Sequence, residues 1–225
     1  MPQHAKRFKI RRKDLRKPDE FETLTGEALD WAGQHRSLLV GAVVVVLTLG
    51  LAGLAFSRWR TSQNEAAALR FGSAHEVFDG GRFGEAAEAF AALARDYPRT
   101  PSGRLAPLYR AHAIARQGDA SAAATAYGEF LAASGRPGYL TQEALTGLGR
   151  AKEASGDSEG ALEAYTRAGA LEGPFRTDAL LSAARLHEAA GHADQARDIY
   201  AGLLKDASEP DLRALLRSKL GAAGQ

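Results

Sequence analysis

The chain contains no cysteine, so it has neither a thiol nucleophile nor an amino-terminal cysteine that could carry a lipid anchor. The same absence agrees with an oxidising compartment and would suit a cytosolic domain as well. No Walker loop and no G-x-S-x-G elbow occurs in the sequence. The six histidines are scattered, and His187 and His192 stand five apart across a glycine turn, not at the i, i+4 spacing of a helical metal site. Paired carboxylates such as Glu85 and Glu88 fall on the outer face of a helical pattern, where solvated charge is the expected reading. No catalytic residue, cofactor or metal is expected, and the chain reads as a binding module or a structural scaffold, not an enzyme.

A strong excess of one charge is also missing from most of the chain. The formal net charge of +2 divides into +3 over residues 1–37, +2 over residues 57–60 and −3 over residues 61–225. The long carboxyl-terminal region therefore lacks the concentrated cationic face that displaces counterions from nucleic acid, and nucleic acid is not an expected partner.

Charge disappears altogether between Leu38 and Phe56, in the run LLVGAVVVVLTLGLAGLAF. As a helix these residues would span about 28 Å, close to the hydrocarbon thickness of a bilayer. Arg36 closes one end and Arg58, Trp59 and Arg60 the other, supplying snorkelling cations and an interfacial aromatic at headgroup level. The segment 38–59 is expected to be a permanent transmembrane helix, since 37 residues precede the run and no A-x-A site follows it. Residues 1–37 hold nine Lys and Arg, eight of them between Lys6 and Lys17, against four in residues 57–93. Arg58, Arg60 and Arg70 lie nearer the span and argue the other way, but a short basic tail resists translocation and a long domain crosses largely regardless of charge. The expected topology has the amino terminus inside and the carboxyl-terminal domain outside.

Before the span, residues 1–17 form a basic tail expected to be unstructured until it meets a surface. It reads as a retention signal, a contact for anionic lipid, or a nucleic-acid or ribosome contact. Residues 18–37 follow as an amphipathic helix, with Pro18 and Asp19 in helix-start roles and Phe21, Leu24, Ala28 and Trp31 along one side.

After the span a pattern recurs four times: a glycine, an alanine five positions on, and an aromatic one helical turn later. The copies are GRFGEAAEAF from Gly81, GDASAAATAY from Gly118, GDSEGALEAY from Gly156 and GHADQARDIY from Gly191. Ala86, Ala123, Ala161 and Ala196 lack bulk where two helices must approach, and Phe90, Tyr127, Tyr165 and Tyr200 fill the groove beside them. The glycines fall between helical patterns, where an open or left-handed backbone ends the first helix of each pair. Asp119 and Asp157 are placed to cap the next helix. Pro107 sits inside the first helical pattern of the second copy, so that helix is expected to begin there or kink. Pro210 opens a last segment with Leu212, Leu215, Leu216 and Leu220 on one face, as expected of a capping helix.

The spacing of the glycines, 37, 38 and 35 residues, together with Tyr97-Pro98 closing the first copy and Leu145, Leu148 and Gly149 in L-x-x-L-G positions of the third, resembles the tetratricopeptide repeat (TPR) family. With the apolar run as one transmembrane helix, the resemblance implies an all-α fold in which the span is followed by a helical-hairpin solenoid of about four repeats over 61–225. Its repeats are expected near 67–100, 104–137, 142–173 and 177–206, with a cap at 210–220. It further implies a concave binding groove along the first helix of each repeat. Carried over by register, the groove positions are Phe71, His75 and Asp79; Leu108, His112 and Arg116; Thr146, Arg150 and Glu153; and Leu181, Arg185 and Glu188. The family variant that grips a terminal carboxylate uses Lys and Asn at these positions and neither occurs, so recognition of a free C-terminus is not expected.

The order of parts is similar to that of the bacterial ancillary subunits of the Sec translocon, inner-membrane TPR proteins that associate with the channel and with periplasmic chaperones. That resemblance implies an inner-membrane, single-pass protein with a periplasmic TPR domain and protein partners: translocon subunits, chaperones or unfolded secretory chains. Membrane lipid would be met by the span and by the basic tail. A structural adaptor for envelope assembly or cell division is the alternative, and a cytosol-facing scaffold of inverted topology a third.

Overall fold

The computed structural model describes residues 20–133 and 138–222. The basic tail at 1–17, the helix-start residues Pro18 and Asp19, and the side chains of Phe21, Leu24 and Ala28 lie outside the described residues. The chain divides into two compact units, Met1–Arg60 and Thr61–Gln225.

In the first unit, helix α1 runs Glu20–Gln34. Within it Leu29 and Trp31 are exposed, and the Trp31 ring stacks on His35 at 4.7 Å between centroids. Helix α2, Arg36–Asp79, carries the apolar run. An 18-residue window of α2 reaches a mean hydropathy of 2.6 with none of it buried, so the helix is long and apolar enough to cross a membrane. Arg36, Arg58, Trp59 and Arg60 are all exposed. The unit boundary falls inside α2, and its residues from Thr61 onward belong to the second unit.

The second unit consists of helices in sequence. The carboxyl-terminal part of α2 is followed by α3 (Phe83–Asp96), α4 (Pro101–Gln117), α5 (Ala120–Ala132), α6 (Gly138–Ala154), α7 (Ser158–Gly169), α8 (Arg176–Ala189), α9 (Ala193–Asp206) and α10 (Pro210–Ala222). From α3 onward each helix packs on the next, and α4 also meets α6 across the intervening α5. This is the neighbour-on-neighbour packing of a solenoid.

The recurring alanines and aromatics form the packing joints. Ala86, Ala123, Ala161 and Ala196 are completely buried, and Phe90, Tyr127, Tyr165 and Tyr200 are at most 3% exposed. Burying each ring stabilises by about 1.5–3 kcal/mol, and the alanine beside it lets the backbones approach. Gly81, Gly118, Gly156 and Gly191 all adopt positive φ, between 75° and 98°, and end the first helix of their pairs. The carboxylate of Asp119 accepts from the Ala122 amide at 2.9 Å, and that of Asp157 from the Gly160 amide at 2.9 Å. Replacing Asp119 with Ala should cost about 1 kcal/mol of stability and Asp119→Asn much less. Urea unfolding of the pair checks this, and equal losses would remove the cap from the account.

Two expectations of the helix pattern need correction. Helix α4 begins at Pro101, not at Pro107, because the Thr100 hydroxyl accepts from the Gly103 amide at 3.0 Å and caps it. Pro107 then lies in the helix interior, where it removes one ladder bond. Burial of Ala106, Leu108, Ala111, Ala113 and Ile114 offsets that loss. In α10, Leu216 is fully buried and Leu212 and Leu220 pack around it, but Leu215 is 48% exposed. A spacing of four residues holds one face of a helix, and Leu215 falls off it.

Candidate functional site

The groove positions lie in the second unit, and the structure sorts them into three kinds. Leu108 is fully buried and belongs to the core, as an aliphatic side chain gains more from burial than from facing water. Leu181 is half-buried against the α9–α10 core, and Phe71 against the rings of Phe90 and Tyr109. Thr146 is buried, its hydroxyl donating to the Gln142 carbonyl of its own helix at 2.9 Å. The polar positions are more exposed.

Those polar positions are organised by the hydroxyls of the repeat tyrosines. His112 has Nδ1 2.7 Å from the Tyr127 hydroxyl and Nε2 3.1 Å from a Glu143 oxygen. A carboxylate can only accept, so Nε2 carries a proton, and in the neutral ring Nδ1 accepts from tyrosine. In the next repeat the Tyr165 hydroxyl donates to Glu153 at 3.2 Å, and Arg185 donates to the same carboxylate oxygen at 2.7 Å. At the end of the array Lys219 donates to Glu188 at 2.8 Å and lies over the Tyr200 ring. Tyrosine, carboxylate and cation or imidazole thus recur along the groove. Repeat 1 carries Phe90 in place of tyrosine; there His75 pairs with Asp79 at 3.0 Å. The rings of His75, Tyr109, His112 and Tyr127 follow one another at 5.5–5.6 Å.

Glycine makes this arrangement possible. A Cβ on Gly147 would fall 2.5 Å from the Tyr127 ring, and one on Gly149 2.6 Å from the Tyr165 ring. With both positions bare, each ring can approach α6 closely, and its hydroxyl meets a groove position, His112 for Tyr127 and Glu153 for Tyr165.

Electrostatics follow from burial and these partners. Burial, then the charge of Glu143, pushes the Tyr127 hydroxyl well up, against an opposing pull from Arg150. Tyr165 is pushed up to about 12, first by burial and then by Glu153. The bond from Arg185 holds the Glu153 carboxyl below its ordinary range. A depressed carboxylate adds stability above its unfolded-state pKa and loses it as pH falls through the folded-state value. Arg185→Gln should therefore lower the melting temperature at neutral pH, with the gap to the parent closing once the pH is below the ordinary carboxylate range. A gap that stays constant down to that pH would break the assignment.

His112, Arg116, Thr146 and Arg150 come together on one pocket of about 490 Å3, together with Tyr127, Glu143, Phe78 and Phe175. Glu153, Arg185 and Glu188 belong to the paired stretch further along. Glu143, Phe78, Phe175 and the tyrosine hydroxyls were not among the expected groove residues. A tyrosine where repeat 1 has phenylalanine was the available signal for the hydroxyls. Among the described residues no cluster of three or more His, Asp or Glu could hold a metal ion.

A stack of helical hairpins with a polar groove defines an interaction scaffold of the repeat class. The match to the tetratricopeptide repeat-like domain covers residues 30–225, and the chain belongs to that family. Such folds are in general non-catalytic scaffolds that bind other proteins. A tetratricopeptide repeat protein from Parabacteroides merdae ATCC 43184 has a similar structure, with a TM-score of 0.58, 18% identity, and 71% of this chain and 60% of that one covered. A putative kinesin light chain from Podosopora anserina with nearly identical TPR-like repeats has a TM-score of 0.57 and 19% identity over 71% and 86% of the two chains. MamA has a TM-score of 0.56 and 18% identity over 71% and 81%. The likeness is one of fold alone, and this chain spans only 60% of the Parabacteroides protein. No curated protein matches the sequence.

Proposed function

We propose that the chain is a single-pass membrane protein of the bacterial inner membrane whose TPR groove docks segments of other proteins on the periplasmic side. The observation that carries this reading is an unburied apolar stretch in α2, in the same polypeptide as a TPR groove. No described side chain covers the stretch, and an apolar surface of that extent needs a non-aqueous environment or a partner. The basic tail favours retention of the amino terminus in the cytoplasm. Tethering would hold the groove at high local concentration near membrane-bound partners.

Within that reading, the order of tail, span and repeats supports a scaffold or chaperone-like ancillary factor close to the Sec translocon. Cysteines introduced at the exposed Ser62 and Ser208 should react with an impermeant thiol reagent in intact spheroplasts, and protection there would sink the topology. A photocrosslinking residue at His112 should capture channel subunits or nascent secretory chains. Capture of division or outer-membrane proteins alone would move the role to envelope assembly.

A further inference from the structure

Most cations and imidazoles of the groove already have a carboxylate. Arg185 is matched by Glu153 at 2.7 Å, Lys219 by Glu188 at 2.8 Å, His112 by Glu143 at 3.1 Å and His75 by Asp79 at 3.0 Å. Arg116 and Arg150 differ: among the described residues neither has a carboxylate within ion-pair distance. Both are exposed, and both line the one pocket between α4 and α6. Arg116 lies over the rings of Phe83 at 5.1 Å and Phe78 at 6.0 Å, which orients the guanidinium without neutralising it. Arg150 acts electrostatically on the hydroxyls of both Tyr127 and Tyr165. Among the described residues the only carboxylate on the pocket wall, Glu143, is held by His112.

This concentration of unmatched positive charge occurs in a domain whose net charge is −3. It is a local feature, and its complement is local negative charge on whatever enters. Phe78 and Phe175 give the same pocket half-buried apolar faces. Bare Gly118 and the small, exposed Ala115 and Ala154 leave room for a chain to lie against the helices. An arginine held in place loses less side-chain entropy when it meets a carboxylate, and its fork matches that group's two oxygens.

We propose that this pocket takes an acidic stretch of a partner polypeptide, its carboxylates meeting Arg116 and Arg150 and an apolar side chain lodging by Phe78 and Phe175. The inference rests on the groove being a protein-docking surface and adds the chemistry of the segment it selects. The carboxylates belong to internal Asp or Glu side chains, since the groove lacks the Lys and Asn grip for a free terminus.

The test uses the full-length chain in detergent and fluorescence anisotropy. The probes are a capped glutamate-rich peptide carrying one phenylalanine, its isosteric glutamine version, and a lysine version. The glutamate peptide should bind, the glutamine version about tenfold or more weaker, and added salt should narrow the difference. Arg116→Gln and Arg150→Gln should each weaken the glutamate peptide by about tenfold. Arg150→Lys should retain part of the binding, which loss of fold would not permit, and the double change to Glu should move preference to the lysine peptide. Equal binding of glutamate and glutamine versions overturns the proposal, as does undiminished binding in the Arg150→Gln variant. So does equal dependence on these arginines for anionic vesicles, which would assign the pocket to lipid. Equal affinity with a retained crosslink from position 112 would leave the docking reading intact, whereas no crosslink from the groove to any protein would remove that reading itself.

Discussion

Replacing Tyr165 with alanine is expected to destabilise the array by about 3–5 kcal/mol, whereas Tyr165→Phe should cost about 1 kcal/mol. Tyr165 is 1% exposed, and its buried neighbours in the cluster joining α7 to α8 are Ala161, Ala183 and Leu186. Alanines cannot move in to fill the space left by a ring, so the cavity term is near its full size. The phenylalanine variant keeps the ring on Gly149 and loses only the bond to Glu153, which Arg185 still holds. In a solenoid the damage should be directional. Stability there is a sum of repeat and neighbour-interface contributions, and this ring sits where repeat 3 meets repeat 4. Hydrogen exchange should show α8, α9 and α10 losing protection well before α3, α4 and α5. Uniform loss across all helices would contradict the neighbour-coupled picture, and a loss below about 1 kcal/mol would contradict the cavity argument.

How much of the fold is legible in the sequence follows from range. The recurring alanine and aromatic lie on one helix, one turn apart, so their periodicity is visible to the eye and their burial follows from it. The same holds for the left-handed glycines and for Asp119 and Asp157, whose cap bonds span three residues. The groove is another matter, because its contents are set across repeats. Leu108 shares a helical stripe with His112 and Arg116, and it is buried only because α4 starts six residues before Pro107 and packs on α3 and α5. The tyrosines read correctly as packing residues, but their far ends do more. Whether a ring's hydroxyl reaches the groove depends on Gly147 and Gly149 in α6, and a bare helix surface cannot be recognised as a ring's resting place from one sequence. Arg116 and Arg150 were visible as residues; that they lack carboxylates where His112, Arg185 and Lys219 have them is a fact about neighbours 31 or 32 positions away.

The tyrosines also join stability to the groove. At neutral pH they are protonated, as an ordinary phenol is, and can donate to Glu153 or to His112; burial raises their pKa further. The groove's carboxylates are thereby tied to the core ring of each joint. A segment that displaced Glu153 from Arg185 and Tyr165 would loosen a packing joint as well as break an ion pair, so the matched carboxylates disfavour acidic segments in that stretch of the groove. Arg116 and Arg150 escape this competition, because Glu143 on the same wall is held by His112.

Gln142→Leu is expected to cost about 2–3 kcal/mol and to weaken peptide binding, although Gln142 touches no groove surface. Its side chain is fully buried at the start of repeat 3. The amide nitrogen donates to the carbonyls of Ala168 at 3.1 Å and Leu171 at 2.7 Å, and the amide oxygen accepts from the Phe175 amide at 3.1 Å. Two acceptors on one side and a donor on the other leave a single orientation for the side chain. Gln142 thus clasps the turn from α7 to α8 across 33 residues of sequence. Gly173 passes so close that a Cβ there would fall 2.5 Å from the Gln142 oxygen. Leucine is similar in volume and removes all three bonds, leaving the Leu171 carbonyl and the Phe175 amide to find water. The Ala168 carbonyl keeps its bond from the Leu171 amide, which holds the cost below three full losses. Gln142→Glu should be no better, because an ionised carboxylate supplies neither donor. Phe175 immediately precedes α8 and forms one edge of the arginine pocket, so releasing its amide should blur that edge. The Phe175 amide should exchange faster in the leucine variant, and the glutamate peptide should bind more weakly while both arginines stay in place. If its exchange is unchanged and stability falls by less than about 0.5 kcal/mol, the clasp is an incidental contact and Phe175 is held by the α7–α8 packing alone.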